Sequence, residues 1–338
     1  MEQNFLLPAS FVLSFIGTWC IVQLASKRHW LDQPNERSSH SIPTPTGGGV
    51  SIVLVFIASS LLAFRGVDTG FSLFPALGMC ACIALLGLLD DIYKLGILAR
   101  LSTQFLVVIA ALAFFGVPPI NLAGIILEPG WISGILVVMG MLWLINLYNF
   151  MDGIDGIAAI ESLFIVLAAV FIMFDQSSAE FDYFLLLLAA SVSGFLVLNF
   201  PPAKIFMGDI GSNFLGFAIG LSAIVSSSMG FTNIWVWCIL CSIFICDASY
   251  TLISRMLNGE TWYYAHRRHA YQLAAQYFDS HAKVVIAVLL INVLWLLPIA
   301  WLAHQAPHLG LLLTILAWLP LFLFAWLIGS SRLFRLPA

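Results

Sequence analysis

Five polar clusters hold nearly all the residues capable of chemistry in this chain. The segment NLYNFMDGIDGIAAIE, residues 146–161, gathers Asn146, Asn149, Asp152 and Asp155 around Gly153 and Gly156. Asp152 and Asp155 are three apart and share a face if the segment is helical. The glycines beside them let a bulky ligand approach the backbone, and a helix cap accounts for one aspartate but not two. LLDDIYKLGILAR (88–100) sets Asp90 against Asp91. Adjacent carboxylates repel unless a cation lies near them, and Lys94, one turn on, supplies part of that charge. The plain alternative for this pair is a solvated helix end. In NFPPAKIFMGDIGSN (199–213), Asp209 sits between Gly208 and Gly211, with Ser212 as the expected N-cap of the next helix. An acid in a glycine loop at a helix N-terminus suits hard cations and phosphate, because free N–H groups point to the same place. NGETWYYAHRRHAYQ (258–272) interleaves His266 and His269 with Arg267 and Arg268. Histidines at i, i+3 suit a transition metal, but no third ligand is evident, and the guanidiniums favour phosphate recognition. The fifth cluster is DQPNERSSHSIPTPTGGG, residues 32–49.

Acids that hold Mg²⁺ beside bases that hold a diphosphate are the parts phosphoryl transfer needs, since it depends on charge neutralisation and in-line positioning. Mg²⁺ binds through one or two carboxylates plus substrate phosphate oxygens; Mn²⁺ is the second candidate.

Composition sets the elements that must position these residues. With 61% hydrophobic and 9% charged residues, the chain has too little polar surface to coat a water-soluble globule. A hydrocarbon core about 30 Å thick needs about 20 apolar residues per helix. The sequence predicts an all-α, polytopic integral membrane protein with about eleven spans, at 5–25, 48–64, 71–89, 101–117, 131–148, 157–174, 182–199, 213–229, 232–254, 284–303 and 309–328. Residues 118–130 are too short to cross and are expected to form a hairpin or re-entrant segment. The whole chain, 1–338, reads as one transmembrane catalytic unit with loops near 26–47, 90–100, 149–156, 200–212 and 255–283. Lys and Arg accumulate on the cytoplasmic side. With the N-terminus outside and the C-terminus inside, 12 of the 13 basic residues face the cytoplasm and only Arg65 lies outside. All five polar clusters then share the cytoplasmic face. The start MEQNF has no basic segment, so the first span reads as a retained helix. Asp247 falls within the ninth span, where an acid is a functional candidate, with Arg255 as an alternative partner. The six cysteines lie in apolar spans and read as packing. No basic patch suggests nucleic acid.

In order and spacing, the five clusters resemble the motifs of the polyprenyl-phosphate N-acetylhexosamine-1-phosphate transferases. The resemblance covers roughly residues 30–275, and its HRRH form is similar to the O-antigen and capsule branch. It implies a bacterial inner-membrane enzyme that moves a sugar 1-phosphate from a UDP-N-acetylhexosamine to undecaprenyl phosphate and releases UMP. It also implies dimerisation, frequent in the family, and a set of roles. Asp209 becomes a Mg²⁺ ligand. Asp90 and Asp91 place the lipid phosphate and the metal, with Asp90 as a further metal ligand. Asp152, Asp155 and Asn149 surround the nucleotide and sugar diphosphate, and Asn199 and Phe206 lie near the uracil. His266, Arg267 and His269 contact phosphates or sugar, and Lys94 reaches the lipid phosphate. Thr46 stands where many members of the branch carry a basic residue, which shifts a phosphate contact to Arg37 or His40. The rival from another class is an ion-coupled membrane transporter. It places its acids near mid-membrane on broken helices, often with repeat symmetry, whereas here they gather at one boundary.

Overall fold

The computed structural model describes residues 5–28, 31–33, 43–67, 69–260 and 268–330. Each apolar stretch folds as a helix, as it must where lipid offers no partner to the backbone. The order is α1 (Leu6–Arg28), α2 (Gly49–Ala63), α3 (Leu73–Tyr93), α4 (Ile97–Phe115), α5 (Trp131–Met151), α6 (Ile157–Met173), α7 (Ala179–Asn199) and α8 (Asp209–Ser228). Then follow α9 (Ile234–Leu240), α10 (Ser242–Leu257), α11 (Ala270–Phe278), α12 (His281–Ile291), a π turn, α13 (Leu297–Gln305) and α14 (Gly310–Ser330). Two small antiparallel ladders complete the described residues. β1 (Leu31–Asp32) pairs with β2 (Thr44–Pro45), and β3 (Ile120–Leu122) pairs with β4 (Ile125–Leu127). The second is the hairpin expected at 118–130.

Eight helical segments are long and apolar enough to cross a membrane, with α12 to α13 counted as one. The α9–α10 pair makes a ninth if its 73° bend interrupts one span. The other two expected spans are α2 and α6, of 15 and 17 residues, shorter than the roughly 20 that cover the hydrocarbon.

The bundle is built around α8, whose apolar length is buried throughout. Lipid is as apolar as the side chains, so helices associate through close packing and small residues. Gly87 of α3 lies against the backbone of Asp209, where any side chain would collide; this contact sets the paired acids of α3 beside the start of α8. Phe56 of α2 makes edge-to-face contacts with Phe184 of α7 at 5.0 Å and Phe214 of α8 at 5.7 Å. As a result α3, α5 and α7 end, and α2, α4, α6 and α8 begin, around one end of the bundle.

Two expectations need correction. Helix α8 starts at Asp209 with Gly208 as its N-cap. Ser212 is therefore inside the helix, where its hydroxyl donates back to the Gly208 carbonyl at 3.3 Å. Arg255 pairs with Glu260 at 3.1 Å, not with Asp247, which serves another helix.

Candidate active site

A cavity of about 520 Å³ opens where these termini meet, lined by Asp32, Thr46, Asp91, Lys94, Asn149, Asp152, Asp155, Asn199, Phe206, Asp209, Gln272 and His281 among others. Residues from all five clusters, with Gln272 alone from 258–272, thus share one space.

Asp91 closes the end of α8. Its Oδ1 accepts the Asp209 N–H and its Oδ2 the Ile210 N–H, each at 3.1 Å. Negative charge there is favoured by the helix dipole and the free amides of the first turn. Asp90 is 3% exposed and is not among the lining residues. Its oxygens accept the Leu95 N–H at 2.7 Å and a 2.6 Å ion pair from Arg100. The cation bonded to Asp90 is therefore Arg100, ten residues on, while Lys94 sits on the cavity wall. Lys94 takes a left-handed backbone as the α3 C-cap.

Asn149 donates to Asp209 Oδ1 at 2.7 Å and to the Ser212 hydroxyl at 3.2 Å, which fixes the Asp209 carboxylate from the α5 side. Asp152, the C-cap of α5, makes no side-chain hydrogen bond among the described residues. Burial raises its carboxyl well above the usual range, reinforced by the charges of Asp209, Asp91 and Asp155. Asp155 accepts the Ala203 N–H at 3.0 Å and meets His281 Nδ1 at 3.2 Å. Asn199 spends its amide on backbone, accepting from Gly156 N–H at 3.1 Å and donating to the Ile205 carbonyl at 2.8 Å. The glycine run of the first loop docks on the same segment, with Gly48 N–H bonded to the Phe206 carbonyl at 2.9 Å; this holds the Phe206 loop against the cavity.

His269 is 4% exposed and lies behind the wall, with Nδ1 3.1 Å from Asp247 Oδ1 and its ring stacked on Tyr271. Asp247 also accepts the Ala270 and Tyr271 N–H groups, so the acid within the ninth expected span caps α11. His266, Arg267, Arg37 and His40 lie outside the described residues. Asn146 bonds Gln104 at 2.8 Å and ties α5 to α4 instead. Sequence reading missed Arg100 and His281. Neither stands within a helical turn of its acid partner, so no local spacing announces the pairs.

Five carboxylates, Asp32, Asp91, Asp152, Asp155 and Asp209, line the cavity with one lysine, the only Lys or Arg among the described lining residues. Among the described residues no three His, Cys, Asp or Glu side chains converge tightly enough to enclose a metal. That does not disqualify Mg²⁺, which takes one or two carboxylates and completes its octahedron with water and substrate phosphate. The acid surplus and the unbonded Asp152 carboxylate fit such an ion.

The glycosyl transferase family 4 pattern matches residues 73–227, the stretch that carries Asp90 through Asp209. The chain is 30% identical over 304 residues to a Bacillus subtilis (strain 168) protein described as a probable undecaprenyl-phosphate N-acetylglucosaminyl 1-phosphate transferase, spanning 86% of this chain and 83% of that one. The chain belongs to the polyprenyl-phosphate N-acetylhexosamine-1-phosphate transferase family. An undecaprenyl-phosphate alpha-N-acetylglucosaminyl 1-phosphate transferase of Thermotoga maritima is 30% identical over 227 residues, 67% of each chain. A phospho-N-acetylmuramoyl-pentapeptide-transferase of Moorella thermoacetica is 36% identical over 199 residues, 54% of this chain and 61% of that one. The transferase assignment accounts for polar chemistry built on a membrane scaffold, and the ion-coupled transporter finds no support beside it.

Proposed function

We propose that this transferase moves N-acetylhexosamine 1-phosphate, or a related amino-sugar 1-phosphate, from a UDP-sugar to undecaprenyl phosphate. The products are UMP and the lipid-linked first sugar of a surface polysaccharide such as O-antigen. The observation that carries the reading is the convergence of Asp91, Asp152, Asp155 and Asp209 with Lys94 in one cavity at the helix ends. A lipid acceptor is supported by the membrane scaffold, and an amino-sugar donor by the names of the relatives. The 12-to-1 distribution of basic residues supports a cavity on the cytoplasmic side of a bacterial inner membrane, with the N-terminus outside.

Asn149 and Asp91 hold the Asp209 carboxylate and the α8 amides in register. Asp209, with Asp152 and the Asp90–Asp91 pair close by, would hold Mg²⁺ or Mn²⁺. When bound, that ion neutralises phosphate charge during transfer. Lys94 offers its ammonium to the acceptor phosphate, and Phe206 and Asn199 border the nucleotide. A phosphomonoester has its second pKa near 6, so at neutral pH the acceptor is mostly dianionic and needs little help from a general base. Its oxygen attacks the β-phosphorus of the donor. A new P–O bond forms there while the bond to the oxygen bridging the α-phosphorus breaks, and UMP leaves with that oxygen. Asp90 and Asp91 have both oxygens committed to hydrogen bonds, which favours direct displacement over an aspartyl-phosphate route. Asp90 acts as a positioning residue through Arg100 and the 94–96 turn. The reading is tested with purified protein, undecaprenyl phosphate, Mg²⁺ and a panel of UDP-N-acetylhexosamines, scored by UMP. At least one donor must give acceptor-dependent UMP; none doing so overturns it.

A further inference from the structure

Gln272 is left unused by the chemistry above, and its setting is costly for an amide. It lines the cavity and is 6% exposed, yet its Oε1 is buried with no hydrogen-bond partner among the described residues. Buried carbonyl oxygens are almost always paired, because an unpaired one loses its water and gains nothing. The side chain is held where it is. Asp247 accepts the Ala270 N–H at 3.0 Å and the Tyr271 N–H at 2.9 Å, pinning the first turn of α11, and the Tyr271 hydroxyl donates to the Phe150 carbonyl at 3.0 Å. The Gln272 Nε2 packs over Gly153, where a Cβ would come within 2.6 Å of it. The glycine after Asp152 therefore makes room for this amide as well as for a ligand.

The neighbouring cavity residues decide what the free oxygen can bind. Asp152 adjoins Gly153, and Asp155 lies beyond it with one oxygen held by His281. The free Oε1 can only accept a hydrogen bond. Phosphate oxygens, which are acceptors too, cannot satisfy it, whereas a ligand group that donates can. We propose that Gln272 reads a hydroxyl or amide N–H of the nucleotide-sugar and so helps set which amino sugar is accepted. This deepens the proposed function and rests on it.

The test separates binding from turnover. Calorimetry on the full-length protein with Mg²⁺ and no acceptor compares UDP-N-acetylglucosamine, UDP-N-acetylgalactosamine and UDP-glucose, which differ by one hydroxyl orientation or by the amide. The wild type is expected to prefer one donor, and Gln272→Met to weaken that donor roughly tenfold while leaving the disfavoured ones nearly unchanged. Gln272→Glu keeps an acceptor oxygen at the same reach, and the preference with it. UMP release is measured separately with acceptor present. A Met variant of unchanged melting temperature that discriminates like wild type, or a Glu variant that loses the preference, overturns the proposal while acceptor-dependent UMP leaves the transferase reading intact. A Gln272-dependent preference without UMP overturns the reading of the reaction and leaves the subsite standing. Absence of binding by every UDP-sugar overturns both.

Discussion

At the residue scale, two acids adjacent in sequence have been given different tasks by their surroundings. Asp91 faces the cavity and caps α8, whereas Asp90 turns inward to Arg100 and the turn after α3. Removing Arg100 leaves a 3%-exposed carboxylate without its cation. Arg100→Ala is expected to cost about 1–3 kcal/mol, discounted because Arg100 is itself partly exposed. Combining it with Asp90→Asn should recover part of that loss, since the two changes are coupled; melting temperatures of the two single variants and the double variant check this. Direct displacement makes a second residue-scale prediction. Labelled UMP does not exchange into UDP-sugar unless undecaprenyl phosphate is present, and Asp90→Asn keeps measurable turnover. Exchange without acceptor would mean a covalent intermediate. The acids were legible because a carboxylate in a chain only 9% charged is conspicuous. Arg100 and His281 were not, because tertiary structure supplies their partners, and neither was the Gln272 oxygen, whose burial depends on how α11 docks.

At the element scale, helix ends rather than helix middles hold the chemistry, with one exception. Glu161 of α6 is fully buried and accepts from Asn292 Nδ2 at 2.6 Å, while Glu161 Oε1 and Asn292 Oδ1 have no partner among the described residues. Asn292 opens the π turn that leads to Pro298, whose missing N–H is accommodated by such local rewinding. A glutamine at 161 offers the same acceptor and adds a donor for Asn292 Oδ1. Glu161→Gln should therefore leave thermal stability unchanged or higher, whereas Glu161→Ala strands the amide and costs about 1–3 kcal/mol. A Gln variant as unstable as the Ala variant would assign Glu161 a need for its charge. The helical stretches and the hairpin at 120–127 were readable from apolar runs and the short break between them. The 73° bend at Cys241 was not: no proline or glycine marks it, and packing among α8, α13 and α14 sets it. The α8 start was misplaced by four residues because Asp209, capped from outside by Asp91, needs no serine.

At the scale of the whole molecule, five acids drawn together without a matching set of cations make a fold sensitive to proton and ion alike. The carboxyl of Asp152 is raised above its unfolded value, so its proton stabilises the ion-free fold below the ordinary carboxylate range. That contribution is lost as pH climbs through the raised value. In chelator, the melting temperature should fall as pH rises above the usual carboxylate range. Asp152→Asn should flatten the fall, and millimolar Mg²⁺ should reverse it; an identical slope in the variant would remove Asp152 from the account. The most direct trial of the central claim, that Asp209 and its neighbours hold a divalent ion serving a nucleotide-sugar and a lipid phosphate, is acceptor-dependent UMP release against Mg²⁺ concentration in wild type and Asp209→Asn. The account predicts turnover that vanishes in chelator, returns with Mg²⁺, and drops at least about a thousandfold in the variant at every Mg²⁺ concentration, a loss of about 4 kcal/mol of transition-state stabilisation. Full wild-type turnover in chelator, or an Asp209→Asn protein as active as wild type, would contradict it.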